Sequence, residues 1–538
     1  MGRKFLIYFL IANLYFLAGN IPLIISYFRT PLNTVFPLIH SDSSYDYHVY
    51  LSVINEGQNG FWLFKDHFTS DDTKPGIFYL YYIFLGKISS IFRLWPPLVY
   101  HLARIVSVEI FLVAVFLLMR LLLPNRLSFP AAVAAIISTL PPLYFFRQPD
   151  AFSTFTPWWS FLEAISRLDG LPHHIFGQAM LLISLIYFLK FFKAKEKKFL
   201  LLASVTAVIS GIVLPPALFP VVIGLPLTFT AASLYQFIKY KKITVDKTVT
   251  APFIIYWLSS LIPLALSAWQ TRQGYPWILW QTWEVSRWNV QETAFNRHLL
   301  TSFSLLSIIS IPAIIHIFKK NDWPKIFVVF WAATPIVMLP FVNLVSIGKI
   351  RLITAAPFVP WSVLAAVSFG LLFAGLRKKS LSYLTVAAFI LLNWSVTIPL
   401  LIQKIKTSRR FPLYSNFFIP QKNWNSITYI KDNLPAGSII LSNEYVGNII
   451  PAYTPSISYF GHINQTLDFA KKQGNVWLFY TRNISDSEAL NFLEQNNISY
   501  IFYGEDEVML GKSKIDYPFL EKIYDRDGIF IFKFENPS

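Results

Sequence analysis

Residues 41–76 read SDSSYDYHVYLSVINEGQNGFWLFKDHFTSDDTKPG and gather acids, histidines and lysines in a chain that is otherwise apolar. Asp42, Ser43 and Ser44 carry side chains that accept bonds from the free amides of a starting helix. Tyr47, Tyr50, Leu51 and Ile54 then follow at i, i+3, i+4 and i+7, so the spacing predicts a short amphipathic helix lying on an apolar surface. Asn59-Gly60 supplies the turn chemistry that stops it. A second acidic cluster, Asp71 and Asp72, comes just before Lys74-Pro75 and another apolar helix. Two groups of carboxylates therefore flank one hairpin-like excursion.

The surroundings of that excursion are set by composition. The chain has 538 residues, 54% hydrophobic and only 14% charged, with a mean hydropathy of +0.47. Those values exclude a soluble globular protein of ordinary surface and imply a polytopic membrane protein. The formal charge of +17 falls in short clusters between apolar runs, where it orients membrane spans, so nucleic acid is not an expected partner. The absence of cysteine removes disulfides, thiolate metal sites and a Cys nucleophile. The first apolar segment, 5–28, is long and lacks a small-residue cleavage site, and reads as a retained span.

Further runs long enough to cross a bilayer lie at about 97–119, 128–146, 175–192, 250–268, 299–318, 326–343, 352–376 and 381–403. Residues 199–238 hold two more, separated at Pro215-Pro216. If the basic clusters at Arg3/Lys4, Arg120/Arg126, 190–198, 239–247, 319–325 and 377–379 are all cytoplasmic, 77–92 cannot cross; it is short, carries Gly86 and Lys87, and reads as a second surface helix. The expectation is about eleven spans in a cell-membrane, multi-pass protein, with the N-terminus cytoplasmic and the C-terminus extracytoplasmic. The outer face then receives 29–96, 147–174, the aromatic loop 269–298 and the C-terminal region. Within this plan, 1–403 is a transmembrane domain and 404–538 a soluble α/β domain. In the latter, helix-like stretches (421–433, 486–496) alternate with β-type runs (438–442, 500–503, 529–534).

Several residues in the outer segments carry usable chemistry. Asp46 lies inside the first surface helix, with Tyr50 one turn later, whereas Asp42 stands where a capping acid is expected; Asp46 is thus a candidate general base or a loop-solvating acid. Asp150 follows the third span at the membrane boundary, near Arg147. Glu163 and the pair His173-His174 precede the fourth span. Adjacent histidines point apart on a helix, so phosphate contact or interfacial packing is expected of them and not one shared metal. A leaving phosphate needs cations, and Lys74, Lys349 and Arg351 are the outer-face choices. Trp277, Trp280, Trp283 and Trp288 offer stacking on sugar rings or an interfacial belt.

This order of features resembles the GT-C superfamily of membrane glycosyltransferases, which includes protein O-mannosyltransferases, oligosaccharyltransferase catalytic subunits and lipid A aminoarabinose transferases. The resemblance rests on Asp46 in YDYHVYLSVINEGQNG after the first span, on DDTKPGIFYLYYIFLGKI, similar to a Glu-Lys-Pro-Pro segment, and on Asp150 at the outer end of the third span. GLPHHIFGQA and PSISYFGHINQT are similar to segments of prokaryotic membrane proteins of this type. The chain departs from the pattern in having no Asp-Glu pair at Asp46 and no Asp-x-Asp at Asp150.

The resemblance implies a GT-C-like helical membrane fold and inverting transfer of a hexosyl or pentosyl group. The donor is a polyprenyl-phosphate sugar and the acceptor a glycan, lipid or protein on the outer face. Asp46, Asp150 and Asp72 are its implied catalytic residues, with Asp46 and Asp150 as ligands should a divalent metal, Mg or Mn, take part. Asp71, Lys74, Tyr50, Glu163, His173, His174 and Arg351 are its implied substrate contacts. Two other classes stay open: a lipid or polysaccharide transporter, and a non-catalytic assembly or polymer-binding protein.

Overall fold

Inside a hydrocarbon layer about 30 Å thick, backbone amides have only each other for partners, so apolar runs of about 20 residues fold as helices. In the computed structural model, residues 2–40, 44–140, 162–241, 247–289, 303–373, 379–410, 417–511 and 515–535 are described. Among them, seven helices are long and apolar enough to span: Gly2–Phe28, Pro96–Leu122, Pro172–Ala194, Pro215–Tyr240, Thr250–Thr271, Trp323–Phe341 and Leu384–Lys406. Four other expected spans fall on shorter helices: Asn125–Ile137, Lys197–Val213, the pair Ser304–Ile309 and Ile311–Lys320, and Phe358–Phe373. Pro215-Pro216 sit in a 3-10 turn between Lys197–Val213 and Phe219–Tyr240, because proline has no amide to continue the first helix.

The chain divides into two compact units. The first comprises Met1–Ile21, Ala103–Trp269 and Trp280–Ile405. It is a helical bundle with one continuous apolar core that includes Tyr8, Leu112, Phe188, Tyr256, Trp331 and Val363. Buried hydroxyls meet inside the bundle: the Ser184 hydroxyl donates to the Ala203 carbonyl at 2.7 Å, which leaves Tyr256 to donate to Ser184 at 2.6 Å. Such pairing offsets the cost of taking a hydroxyl out of water.

The second unit comprises Pro22–Leu102, Gln270–Leu279 and Lys406–Ser538, so the first loop and the C-terminal region fold together. The helix expected at the acidic excursion is Ser44–Gln58 and ends before Gly60, whose φ of +105° suits a residue without a Cβ. Tyr47, Tyr50, Leu51 and Ile54 are buried as expected, but so are His48, Val49, Ser52, Val53 and Glu56. This helix is therefore not an amphipathic rod with one wet face: it packs on both Leu80–Phe92 and Glu444–Tyr453. The approach to Leu80–Phe92 is close because a Cβ on Gly57 would lie 2.2 Å from the Ile83 carbonyl, and one on Gly86 2.2 Å from that of Ile54. Gly86, the residue that argued against a span, is the point of contact. Leu80–Phe92 has 13 residues, about 20 Å of helix beside a hydrocarbon layer about 30 Å thick.

A two-residue strand in the first loop, β1 (Thr34–Val35), pairs antiparallel with β2 (Ile419–Pro420). The main sheet holds β3 (Ile439–Leu441), β4 (Ile457–Ser458), β5 (Ile498–Tyr503), β6 (Leu520–Arg526) and β7 (Ile529–Phe534) in the order β4-β3-β5-β7-β6. Its β4-β3-β5 half is parallel and its β5-β7-β6 half antiparallel. Neighbouring residues feed opposite cores: Leu441 and Ile501 join one with Phe479, Tyr480 and Leu493, and Ile440 and Phe502 join the other with Ile427, Ile430 and Ile449. That is the period of two of a sheet covered on both faces. The expected helices appear at Gln421–Asn433 and Asp486–Gln495. The pattern missed the two-residue β4, the β6 strand and the helices Glu444–Tyr453 and Phe469–Tyr480.

Candidate active site

Asp46 stands in the first turn of Ser44–Gln58, the positive end of a helix dipole, where a carboxylate is favoured. Its Oδ1 lies 3.0 Å from Nε2 of His462, a residue 416 positions away. The backbone N–H of Asn464 donates to His462 Nδ1 at 3.2 Å. A backbone amide only donates, so Nδ1 is the lone-pair nitrogen and Nε2 carries the hydrogen that bonds Asp46. The imidazole is almost fully buried, while the Asp46 side chain is 43% exposed, so a neutral donor holds one carboxylate oxygen on a group still open to solvent.

The support behind this pair is also shared between distant segments. Tyr45 lies against His462, the two rings tilted by 31° with centroids 4.3 Å apart, accepts from the Ile463 amide at 2.9 Å and donates to Glu444 Oε1 at 2.7 Å. Burial, then the bond to Glu444, raises the Tyr45 hydroxyl, so it stays protonated. One turn along the helix, His48 is enclosed, and burial pulls its imidazole down to about 3.

Asp71 receives a different partner from the same C-terminal region. Lys472 Nζ bonds Asp71 Oδ2 at 2.5 Å and also faces Thr69 Oγ1 at 2.8 Å, Ser70 Oγ at 3.1 Å and the Tyr459 carbonyl at 3.2 Å. Burial alone would raise the Asp71 carboxyl, but the bonds from Lys472 and Thr69 outweigh it and hold the group below its usual value. Backbone bridges stitch the two segments together: Ser458 N–H to the His67 carbonyl, Thr466 hydroxyl to the Phe68 carbonyl, and a β-bridge between Thr69 and Phe460. Asp66, buried beside this network, is raised chiefly by desolvation.

The remaining candidates divide by location. In the same unit, Asp72 is 93% exposed and paired with Lys65 at 2.9 Å; Lys74 is exposed, its ammonium 3.4 Å from Gln273 Oε1; and Tyr50 is a buried ring stacked on Tyr82. Trp277 is fully buried and donates to the Lys74 carbonyl at 2.9 Å, so it is core and not a sugar platform.

In the bundle unit, Glu163 caps the short helix Ala164–Leu168 by accepting from the Ser166 amide at 2.7 Å. His173 and His174 have rings 4.2 Å apart, not splayed as expected. They occupy the first turn of Pro172–Ala194, where no preceding turn restricts their rotamers. Arg351 forks onto both carboxylate oxygens of Glu284, and its charge acts on both imidazoles. Asp150 and Asp42 lie outside the described residues. A buried pair that the sequence did not mark, Arg104 with Asp169, stands near Lys404, 3.7 Å from Asp169.

Sequence reasoning thus marked Asp46 and Asp71 as candidates but not the residues they bond, His462 and Lys472. The segment PSISYFGHINQT did draw notice by resemblance, while nothing about Lys472 set it apart. Among the described residues, no group of three or more His, Asp or Glu side chains converges on one point.

No family model matches the chain, and no curated protein matches it. Solved structures do. The oligosaccharyltransferase AglB from Archaeoglobus fulgidus, in complex with an inhibitory peptide and a dolichol-phosphate, aligns over 98% of this chain and 74% of its own at 16% identity and a TM-score of 0.50. ArnT from Cupriavidus metallidurans, bound to undecaprenyl phosphate, aligns over 98% and 97% at 9% identity and 0.50. The arabinofuranosyltransferase AftD from Mycobacteria aligns over 97% of this chain and 40% of its own at 13% identity and 0.53. At such identities the likeness is one of fold, and the fold is that of the GT-C membrane glycosyltransferases.

Proposed function

We propose that this membrane protein, with its GT-C fold, transfers a glycosyl group from a polyprenyl-phosphate donor to a hydroxyl-bearing acceptor, with inversion, on the outer face of the cell membrane. The observation that carries the reading is the Asp46–His462 pair at 3.0 Å: a half-exposed carboxylate at a helix start, held by a neutral imidazole. Asp46 takes the proton of the acceptor hydroxyl, the hydroxyl oxygen forms a bond to the anomeric carbon, and the carbon–phosphate oxygen bond breaks with its electron pair leaving on the phosphate. His462 is a positioning residue. Its Nε2–H fixes one oxygen of Asp46, so that the other faces the acceptor.

The departing phosphate requires a cation, and Lys74, exposed beside the same loop, is our candidate in this unit. Arg351, held by Glu284, remains a proposed phosphate contact of the bundle unit with His173 and His174. Asp71 is an electrostatic neighbour whose charge Lys472 offsets. For a divalent ion such as Mg or Mn, the described residues offer Asp46 in no group of three or more ligating side chains.

Replacing Asp46 by Asn removes the charge while keeping the size. Transfer from a labelled polyprenyl-phosphate sugar, measured in membranes at matched protein level, should collapse; wild-type turnover in Asp46→Asn would sink the assignment. For the orientation, a reporter fused after Leu94 should read as outside, and cytoplasmic readings both there and at 193–198 would end the eleven-span arrangement.

A further inference from the structure

Three cations of the first unit, Arg3, Lys4 and Arg120, share a cavity of about 310 Å³ with Asn125, Ser128 and Phe129. They reach it from distant parts of the chain: Arg3 and Lys4 lie in the first turn of Gly2–Phe28, and Arg120 in the last turn of Pro96–Leu122. Asn125 and Ser128 belong to the start of Asn125–Ile137, where Pro124 supplies no side-chain cap, so the first amides of that helix add partial positive charge. A basic cluster that only orients a span can spread its charges into water. Here like charges are gathered around one hollow, where they repel. Among the described residues, no carboxylate lines the cavity and none bonds any of the three cations.

The lining chemistry narrows the guest. All three cations and Asn125 are exposed, so a ligand can reach them. Guanidinium forks grip two oxygens each and an ammonium adds a point charge, a set that suits a phosphate group. The volume lies at the foot of the range of about 300–1,000 Å³ that small-molecule sites occupy. The phosphate's source follows from the walls. Gly2–Phe28 and Pro96–Leu122 are long and apolar enough to span, which sets their ends at head-group level. From Arg3, the exposed residues Ile7, Leu10, Leu14 and Leu17 recur at alternating steps of four and three and so form one apolar strip along the helix. An acyl chain joined to the phosphate can follow that strip, whereas a free phosphate gains nothing from it.

We propose that this cavity holds the head group of an anionic glycerophospholipid, with Arg3, Lys4 and Arg120 on the phosphate oxygens and the Asn125 amide on a glycerol hydroxyl. A choline head group is disfavoured, because its own ammonium offsets the phosphate and is repelled by the three cations. Lipid binding here needs no glycosyl transfer: the cavity belongs to the first unit and Asp46 to the second.

The test mixes the full chain in detergent with equal amounts of phosphatidylglycerol and phosphatidylcholine and counts the retained lipid by native mass spectrometry. Phosphatidylglycerol should be retained in at least about 10-fold excess. Arg120→Gln, at an exposed position where folding is not at risk, should remove most of that excess, as should the double change Arg3→Gln with Lys4→Gln. Arg126→Gln is the control. It takes the same charge from an exposed residue outside the cavity lining and should keep the excess. The proposal is overturned if the two lipids are retained equally, if Arg120→Gln and the double variant both retain the excess, or if Arg126→Gln loses as much as Arg120→Gln, which would make the effect a diffuse field of the basic loop. Displacement of phosphatidylglycerol by millimolar inorganic phosphate would make this a soluble-anion site, and displacement by an equal concentration of undecaprenyl phosphate a carrier site; either overturns it too.

Discussion

Asp46 and Asp71 begin from the same material: two acids in one loop of the second unit, each given a partner by the C-terminal segment. Asp46 meets a neutral imidazole and stays 43% exposed, whereas Asp71 meets an ammonium that also faces two hydroxyls and a carbonyl. A carboxylate neutralised by a cation is a poor base, because losing the pair opposes taking up a proton. One held by a neutral donor keeps its negative charge available while its geometry is fixed. On the proposed reading, the difference gives chemistry to the first acid and cohesion to the second, although both are partly exposed aspartates of the same 29–96 segment.

The comparison is broken most directly by exchanging the two acids' fates. Asp46→Asn should lower turnover by roughly 10²- to 10⁴-fold with little change in stability, while Asp71→Asn should retain turnover per folded molecule; equal losses in a donor-transfer assay would end the distinction. Lys472→Met comes next. It removes the ammonium from a site where it is 7% exposed, and should cost about 1–3 kcal/mol of stability, seen as a lower thermal midpoint in detergent. An unchanged midpoint would show that the network holds nothing together.

His462→Gln keeps an N–H donor but not the ring that lies against Tyr45, so the bond to Asp46 is held less firmly and a loss of roughly 0.5–1.5 kcal/mol, about 2- to 13-fold in turnover, is expected. Because His462 positions Asp46, the loss should fall on kcat with the acceptor KM little changed. A loss confined to KM would make it a binding residue.

The pH response is smaller. The folded Asp71 carboxyl is lowered, so its contribution to stability is present above the unfolded value of about 3.9 and is lost as pH falls through the lower folded value. Since Asp71 is partly exposed, the effect is slight, and Lys472→Met should flatten the acid limb of the stability profile. An unaltered limb would place the acid sensitivity elsewhere. Smallest of all, Asp72→Asn, at an acid 93% exposed, should change neither turnover nor midpoint measurably.

What the sequence could announce was whatever is written in periodicity. Runs of about 20 apolar residues, the helix at Ser44–Gln58, the short apolar helix at Leu80–Phe92 and the β-type runs at Ile439–Leu441 and Ile529–Phe534 all repeat at 3.6 or 2 residues, and local backbone preference is enough to produce them. Asp46 could be singled out because an acid in the first turn of a helix is a local fact. The burial of the other face of Ser44–Gln58 was not legible, since its cover, Glu444–Tyr453, is about 400 residues away and His48, Ser52 and Glu56 read as solvent-facing. The partners of the acids were equally hidden. His462 and Lys472 lie among polar residues of a segment with no distinctive spacing, and only the tertiary fold brings Nε2 to 3.0 Å from Asp46 and Nζ to 2.5 Å from Asp71. Sequence determines which residues can ionise and which segments are helices; whether a carboxylate becomes base or tether depends on the charge and burial of a neighbour supplied from across the chain, and that is decided by folding alone.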